Sequence, residues 1–188
     1  MCRLWKRSQT FSGLGYSILI RKCKLSFLLR VCYNGFGDTV KKIGGIAILI
    51  IILDQIIKYL FCNTMELGES IILLPQFFSF TLVKNTGVAF SLFAGSQIPL
   101  IILAILVVII LFIWIQKQTL TPFNILSYGL LYGGIIGNLI DRIIRHGVVD
   151  YLDFTILGYP FPIFNLADIC VVCGAFLLTF TIWKEDEK

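Results

Sequence analysis

Residues 98–115 read IPLIILAILVVIILFIWI, a run of 18 positions without a charged, amide or hydroxyl side chain. A helix of about 18 or more apolar residues is long enough to cross a hydrocarbon layer of about 30 Å. A surface helix of a soluble protein would instead carry polar residues on one face at every turn. The run therefore predicts a transmembrane helix, and it indicates the fold class of the whole chain.

The composition extends this prediction to the rest of the sequence. Of the 188 residues, 57% are hydrophobic and 14% are charged, whereas soluble domains are roughly 45–50% apolar. We predict a membrane protein, mainly α, with four transmembrane helices at about 43–61, 98–115, 122–140 and 162–183. This composition excludes an ordinary soluble domain, and we expect no nucleic-acid partner.

The segment 78–85, FSFTLVKN, begins with a different periodicity. Phe78, Phe80 and Leu82 alternate with polar residues, and the pattern breaks at Asn85 and Gly87. Alternation of apolar and polar side chains is typical of a half-buried strand. We therefore predict a small β-sheet or hairpin that rests on the outer leaflet of the membrane.

Residues 1–40 differ in composition from the rest of the chain. They carry seven basic residues against Asp38 alone. The sequence VKKIGG, which starts at Val40, is typical of the beginning of a membrane protein: an initiator position, two lysines and an apolar run. We expect residues 1–40 to be a basic extension that is either not native or disordered, and residues 41–188 to form the transmembrane domain.

Basic residues in short loops indicate the orientation of the helices. Lys41, Lys42, Lys117, Lys184 and Lys188 all fall on the side of the basic extension. Loops on the cytoplasmic side are enriched in lysine and arginine, so we predict that both termini are cytoplasmic. The loops 62–97 and 141–160 then face the exterior, although two arginines in the second loop weaken the bias.

One set of polar and ionisable residues, in or next to the predicted spans, lies at similar depth. Given a rise of 1.5 Å per residue, all of them fall in the outer half of the membrane. Ionisable groups inside a span are costly unless they are paired or hydrated, so a functional role is their default interpretation. The residues concerned are Asp54 and Lys58 in helix 1, Asn138, Asp141 and Arg142 at the end of helix 3, and Asn165 and Asp168 in helix 4.

Structural interpretations remain open for several of these groups. Asp54 and Lys58 are spaced i, i+4 and can form a simple ion pair. Asp141 with the adjacent arginine can be a bracket that fixes the end of helix 3. His146 and Asp153 fit solvated loop positions.

Asp150 and Asp168 form a different case, because each is expected near the same membrane surface. Two aspartates in a pocket of low dielectric share a proton, so that one acts as general acid and the other as general base. An ion or proton pathway remains an equally open interpretation of the spacing alone.

Four sequence blocks carry a resemblance to a known family. They are DQIIKYL (54–60), KNTGVAFSLF (84–93), GGIIGNLIDRIIRHGVVDYLDF (133–154) and FNLADICVVCGA (164–175). With these blocks in this order, the chain resembles bacterial lipoprotein signal peptidase, also called signal peptidase II, a family of intramembrane aspartyl peptidases. The resemblance covers about residues 43–183.

The resemblance implies roles for individual residues. The catalytic aspartates of the family correspond to Asp150 and Asp168. The implied supporting or substrate-binding residues are Asp54, Lys58, Asn85, Gly87, Asn138, Arg142, Asn165 and Ala167. Val88 and Tyr151 depart mildly from the usual family residues. The family uses no metal and no cofactor.

The resemblance also implies a substrate and a location. The expected activity is cleavage of prolipoproteins directly before a cysteine that bears diacylglycerol. The expected partners are these substrates and membrane lipids, and the expected state is a monomer. The site would lie near the outer surface of the bacterial cytoplasmic membrane.

Two other functions compete with this one. A small ion- or proton-coupled transporter or channel subunit could use Asp54, Asp141 and Asp168 as a relay, and it would need carboxylates spread across the membrane. A non-catalytic assembly protein is the third candidate.

Overall fold

A computed structural model describes residues 13–87, 97–116 and 121–186, with side chains described from residue 37 onward. The chain divides into two compact units, 1–40 and 41–188. The division by composition at residue 40 stays a prediction, and Val88, Lys117 and Lys188 lie outside the described residues. All the side-chain contacts that follow belong to the second unit.

Four helices dominate the described residues: α1 (Gly13–Thr64), α2 (Ile98–Ile115), α3 (Pro122–Ile144) and α4 (Leu166–Asp186). Each contains a segment long and apolar enough to cross a membrane, namely Gly37–Thr64, Ile98–Ile115, Pro122–Ile144 and Leu166–Lys184. Large apolar side chains on the outer faces are exposed, for example Ile102 and Ile110 on α2. The predicted fold of four spanning helices is confirmed, and the chain is a multi-pass membrane protein.

Local chemistry explains where α3 and α4 begin and end. Thr121 caps α3 by accepting the Asn124 N–H at 3.2 Å, with Pro122 in the first turn, as is usual for a helix start. α3 continues past the expected end at 140 to Ile144, because the charge of Asp141 is neutralised inside the protein. α4 begins at Leu166 and not at about 162, because Asn165 forms its cap.

Four antiparallel strands form one sheet in the order β1-β2-β3-β4. They are β1 (Ser70–Leu74), β2 (Phe78–Asn85), β3 (Val148–Ile156) and β4 (Tyr159–Pro160). The predicted strand at 78–85 is confirmed as β2. β3 lies in a stretch that we expected to be a loop, and it pairs with β2 through partners such as Val83 with Asp150.

An apolar contact anchors the sheet to the end of α1. Met65, Leu82 and Val149 form a buried cluster. Next to it, the rings of Phe61 and Tyr151 stack with centroids 4.4 Å apart. Aromatic pairs of this kind add to the burial of their area, so β3 is held firmly against α1.

Glycines on α3 allow the neighbouring helices to approach closely. A Cβ atom at Gly134 would collide with the backbone carbonyl of Ala167 on α4, and one at Gly137 would lie 2.8 Å from Asp54 Oδ2 on α1. This close approach depends on the absence of a side chain at these glycines. It brings the polar end of α3 within hydrogen-bond reach of both α1 and α4.

Candidate active site

Two aspartates from different elements line one cavity of about 650 Å³. Asp150 is the third residue of β3, and Asp168 is the third residue of α4. Asp150 is 2% exposed, and Asp168 is half-buried. The structure thus brings together the two carboxylates that the sequence singled out.

Asn165 bridges the two aspartates. Its Nδ2 donates to Asp150 Oδ1 at 2.6 Å, and its Oδ1 accepts the backbone N–H of Asp168 at 2.9 Å. The backbone N–H of Asn165 donates in return to Asp168 Oδ2 at 3.2 Å. These reciprocal bonds are those of a capping box, so the cap of α4 also fixes the relative position of the two carboxylates.

Asn138 on α3 orients Asp168 from the opposite side. Its Nδ2 donates to Asp168 Oδ1 at 2.7 Å. Its Oδ1 accepts from Lys58 Nζ at 3.0 Å and from Asn165 Nδ2 at 3.2 Å. Because two donors face Oδ1, the amide has one favourable orientation, and its N–H group must point at Asp168.

Asn85 at the end of β2 completes the environment of Asp150. Its Nδ2 donates to Asp150 Oδ2 at 3.0 Å, while its Oδ1 accepts the Gly87 N–H at 3.0 Å in an Asx turn. Each oxygen of Asp150 therefore accepts a hydrogen bond from an asparagine amide.

The surroundings favour a proton on Asp150. Burial, followed by the nearby charge of Asp168, raises the pKa of Asp150 from 3.8 to about 7, although the bonds from Asn85 and Asn165 oppose the shift. Two close carboxylates cannot both ionise without cost. Asp150 is therefore partly protonated near neutral pH.

Arg142 lines the cavity beside the two carboxylates. Its Nη1 donates to the Asn138 carbonyl at 3.3 Å, and its buried Nε has no hydrogen-bond partner within the described part of the chain. The bracket of Asp141 with Arg142 that we considered for the end of helix 3 is not an ion pair between these two residues. Adjacent helix residues point about 100° apart, and Asp141 pairs with Lys58 and Arg145 instead.

Lys58 lies at the centre of a buried ionic cluster behind the cavity. Its ammonium group contacts Asp54 Oδ2 at 2.8 Å and Asp141 Oδ2 at 2.7 Å, and these three side chains are fully buried. With the bond to Asn138, all three ammonium hydrogens have acceptors. The i, i+4 pair predicted for Asp54 and Lys58 is present.

Asp54 also reaches the start of α4. Its Oδ1 accepts the backbone N–H of Ala167 at 3.2 Å. Ala167 is fully buried and lies next to Asp168. The cluster thus supports the end of α4 that carries Asp168 without lining the cavity itself.

The structure adds residues that the sequence reasoning missed. Gln55 and Arg145 bind Asp141, and the Tyr151 hydroxyl accepts the Leu166 N–H at 3.1 Å. Burial raises the pKa of Tyr151 to about 12, so this hydroxyl stays protonated. A polar amide such as Gln55 inside an apolar span was the available signal, because it requires a buried partner.

Two other polar residues stay outside the site. Asp153 lies on β3, where it accepts a hydrogen bond from Thr81 Oγ1 at 2.7 Å, and so it is not the solvated loop acid that we expected. His146 is exposed, as predicted. Neither residue lines the cavity.

The rest of the cavity wall is mostly apolar, and this limits what it can accept. Its apolar lining residues are Val148, Phe161, Pro162, Ile163, Phe164, Ile169, Val172 and Cys173. Among the described residues, no three His, Cys, Asp or Glu side chains are grouped so as to hold a metal ion. The arrangement can place a water molecule and two carboxylates against a substrate that is apolar on one side.

Known proteins that match the chain agree with this picture. The family model described as Signal peptidase (SPase) II matches residues 46–184. A lipoprotein signal peptidase of Halothermothrix orenii is 40% identical over 142 residues, covering 76% of this chain and 95% of that protein. One from Staphylococcus aureus is 36% identical over 141 residues, covering 74% of this chain and 86% of that protein.

Solved structures show the same relationship. A bacterial membrane enzyme matches with a TM-score of 0.69 and 34% identity, over 75% of this chain and 87% of that one. Fold and site together define a membrane-embedded peptidase. The chain belongs to the signal peptidase II family, as the sequence blocks indicated.

Proposed function

We propose that Asp150 and Asp168 are the catalytic pair of this peptidase, and that it cleaves prolipoproteins directly before a diacylglyceryl-modified cysteine. The observation that carries the proposal is the bridge through Asn165, which holds both carboxylates at the rim of one apolar cavity. Catalysis by such a pair follows the division of labour in aspartic proteases.

In the proposed reaction the pair starts with one shared proton. The ionised aspartate takes a proton from a water molecule as that water attacks the carbonyl carbon of the scissile amide. The protonated aspartate gives its proton to the carbonyl oxygen, and a tetrahedral gem-diol forms. A hydroxyl group of the gem-diol then returns a proton to the ionised aspartate. The protonated aspartate gives its proton to the amide nitrogen, and the C–N bond breaks. No step requires a metal or a cofactor, in keeping with the resemblance.

The depth of the pair suits a lipid-anchored substrate. α1 and α3 end, and α4 begins, at the end of the bundle where β3 lies, and Asp168 is in the first turn of α4. A diacylglyceryl cysteine keeps its peptide bond close to the level of the headgroups. Acyl chains can lie against apolar cavity residues such as Phe164 and Val172 while the bond reaches the carboxylates.

The other predicted residues receive supporting roles. Asn85, Asn138 and Asn165 orient the carboxylates, and Arg142 supplies positive charge and a free Nε donor to the substrate. Gly87 lines the cavity at the substrate side. Asp54, Lys58 and Ala167 fix the start of α4.

The proposed location follows from the charge of the loops. The site faces the outer surface of the bacterial cytoplasmic membrane, and both termini are cytoplasmic. Membrane lipids and prolipoproteins are the proposed partners of a monomeric enzyme. The transporter alternative loses support, because Asp54 and Asp141 are held by Lys58 and do not form an open relay.

The test uses the purified protein in lipid nanodiscs with two substrates, a prolipoprotein with and without its diacylglyceryl group. We expect cleavage of the lipidated substrate alone, with mass spectrometry locating the cut directly before the modified cysteine. Excess EDTA should leave the rate unchanged. Equal cleavage of both substrates, a cut elsewhere, or inhibition by EDTA would contradict the proposal.

A further inference from the structure

We propose that Arg145 and Gln55 are positioning residues that clamp Asp141, and that through Asp141 they hold both halves of the catalytic pair. The inference rests on the proposed function of Asp150 and Asp168. It adds two residues that do not touch the cavity.

The clamp is a compact set of hydrogen bonds on one oxygen of Asp141. Arg145 Nη1 donates to Asp141 Oδ1 and, at 2.8 Å, to Gln55 Oε1. Gln55 Nε2 donates to the same Asp141 oxygen at 3.1 Å and to the Gly137 carbonyl at 3.2 Å. Gln55 and Arg145 therefore fix each other and together determine the rotation of the Asp141 carboxylate.

The second oxygen of Asp141 leads to both catalytic residues. Oδ2 accepts the backbone N–H of Val149 at 3.3 Å, and Val149 precedes Asp150 on β3. The same oxygen contacts Lys58 Nζ at 2.7 Å.

Lys58 continues the connection toward the other catalytic residue. It donates to Asn138, whose amide donates to Asp168. A rotation of the Asp141 carboxylate would therefore disturb Asp150 through the strand and Asp168 through the lysine and the asparagine.

Charge gives the clamp a second role. Lys58 is one cation between two fully buried carboxylates, Asp54 and Asp141. Arg145, whose side chain is 27% exposed, brings a second positive charge to Asp141. A buried carboxylate without a compensating charge is strongly unfavourable. Without Arg145, Lys58 would be drawn closer to Asp141 and away from Asn138.

The experiment compares Arg145→Met, Gln55→Met, the double variant and Arg145→Lys with the wild type. Methionine keeps an apolar stem and removes the donors. Lysine restores a donor nitrogen with several hydrogens, and a single nitrogen of Arg145 makes both bonds in the structure. Lys184→Met is the matched control, because it removes an exposed positive charge at the far end of α4.

Cleavage rates are measured per folded molecule, with the folded fraction taken from thermal unfolding of each variant. We expect kcat to fall by roughly tenfold in each single Met variant, and KM to change less than about twofold. The fall in kcat is smaller than the loss of about 100-fold that a full 1 Å displacement causes. The double variant should lose less than the product of the two single losses, because the two residues act as one unit.

Arg145→Lys should recover most of kcat, and Lys184→Met should equal the wild type. A loss that disappears when the rate is corrected for folded protein, an unchanged kcat, or fully multiplicative losses would overturn the clamp. A wild type that does not cleave overturns the proposed function and the clamp with it. An active wild type with active Met variants overturns the clamp alone.

Discussion

Replacing Asn165 with serine separates the two roles of this residue. Serine lacks the amide N–H that reaches Asp150 at 2.6 Å, but its hydroxyl oxygen can still cap α4 in place of the bond to the Asp168 N–H. Serine and asparagine are similarly good caps, whereas alanine costs about 1 kcal/mol at this position. Asn165→Ser therefore keeps the cap of α4 and Asn165→Ala loses it, whereas both variants lose the amide N–H that reaches Asp150.

The expected magnitude follows from the lost bond. A hydrogen bond contributes about 0.5–1.5 kcal/mol when both partners are neutral and about 1.5–3 kcal/mol when one is charged, and about 1.4 kcal/mol corresponds to a factor of ten in rate. If the bond holds Asp150 in its reactive position, kcat should fall in both variants, roughly 2- to 10-fold where Asp150 is protonated and roughly 10- to 150-fold where it is ionised. Asn165→Ala should in addition unfold at a lower temperature than Asn165→Ser.

The assay is cleavage of a lipidated prolipoprotein in nanodiscs, with thermal unfolding measured on the same samples. Loss of the amide also removes a bond that opposes protonation of Asp150. The pH at which activity declines should therefore move upward in Asn165→Ser. A serine variant as active as the wild type would refute the idea that Asn165 positions the pair.

Three further predictions concern the buried cluster, the proton and the helix contact. Lys58→Met should lower the free energy of unfolding by about 3–5 kcal/mol, because it leaves the buried Asp54 without a cation and Asp141 with Arg145 alone. Denaturant titration measures this change. The pKa of Asp150 is raised from 3.8 to about 7. Activity should therefore decline as pH rises through about 7. The stability that protonation of Asp150 contributes should be fully present below about pH 4 and should be lost as the pH rises to about 7. A pH profile that lacks this decline in the wild type contradicts the shared proton. Gly137→Ala should reduce both stability and activity, because its Cβ would lie 2.8 Å from Asp54 Oδ2. Gly44→Ala is the control, because a Cβ at Gly44 meets nothing within 4 Å. Thermal unfolding compares the stability of the two variants.

The spanning helices were predictable because their signal is local. The apolar run 98–115 coincides with α2, and the alternation at 78–85 coincides with β2. β3 was not predicted, because its first residues, Val148 to Tyr151, are buried without an alternating pattern. A strand buried on both faces cannot be recognised from periodicity.

The sequence predicts the residues of the candidate site that are unusual in an apolar segment, but not all of the contacts between them. Asp150, Asp168 and Asn165 were identified from the sequence, and the structure places them in contact through hydrogen bonds. The contact of Gln55 with Arg145 joins positions 90 residues apart, and the local sequence indicates that Gln55 needs a polar partner but not which residue supplies it. Lys58 and Arg145, the ion-pair partners of Asp141, were not predicted, because adjacency to Arg142 in the sequence does not indicate spatial contact.

The central claim is tested most directly by cleavage with Asp150→Asn, Asp168→Asn and Asp153→Asn under single-turnover conditions. Asp153 is the matched control, since it lies on the same strand as Asp150 and accepts a bond from Thr81 outside the cavity. We predict no detectable cleavage by the first two variants and a wild-type rate for the third, with all three folded. Normal cleavage by either Asp150→Asn or Asp168→Asn would contradict the assignment of the catalytic pair.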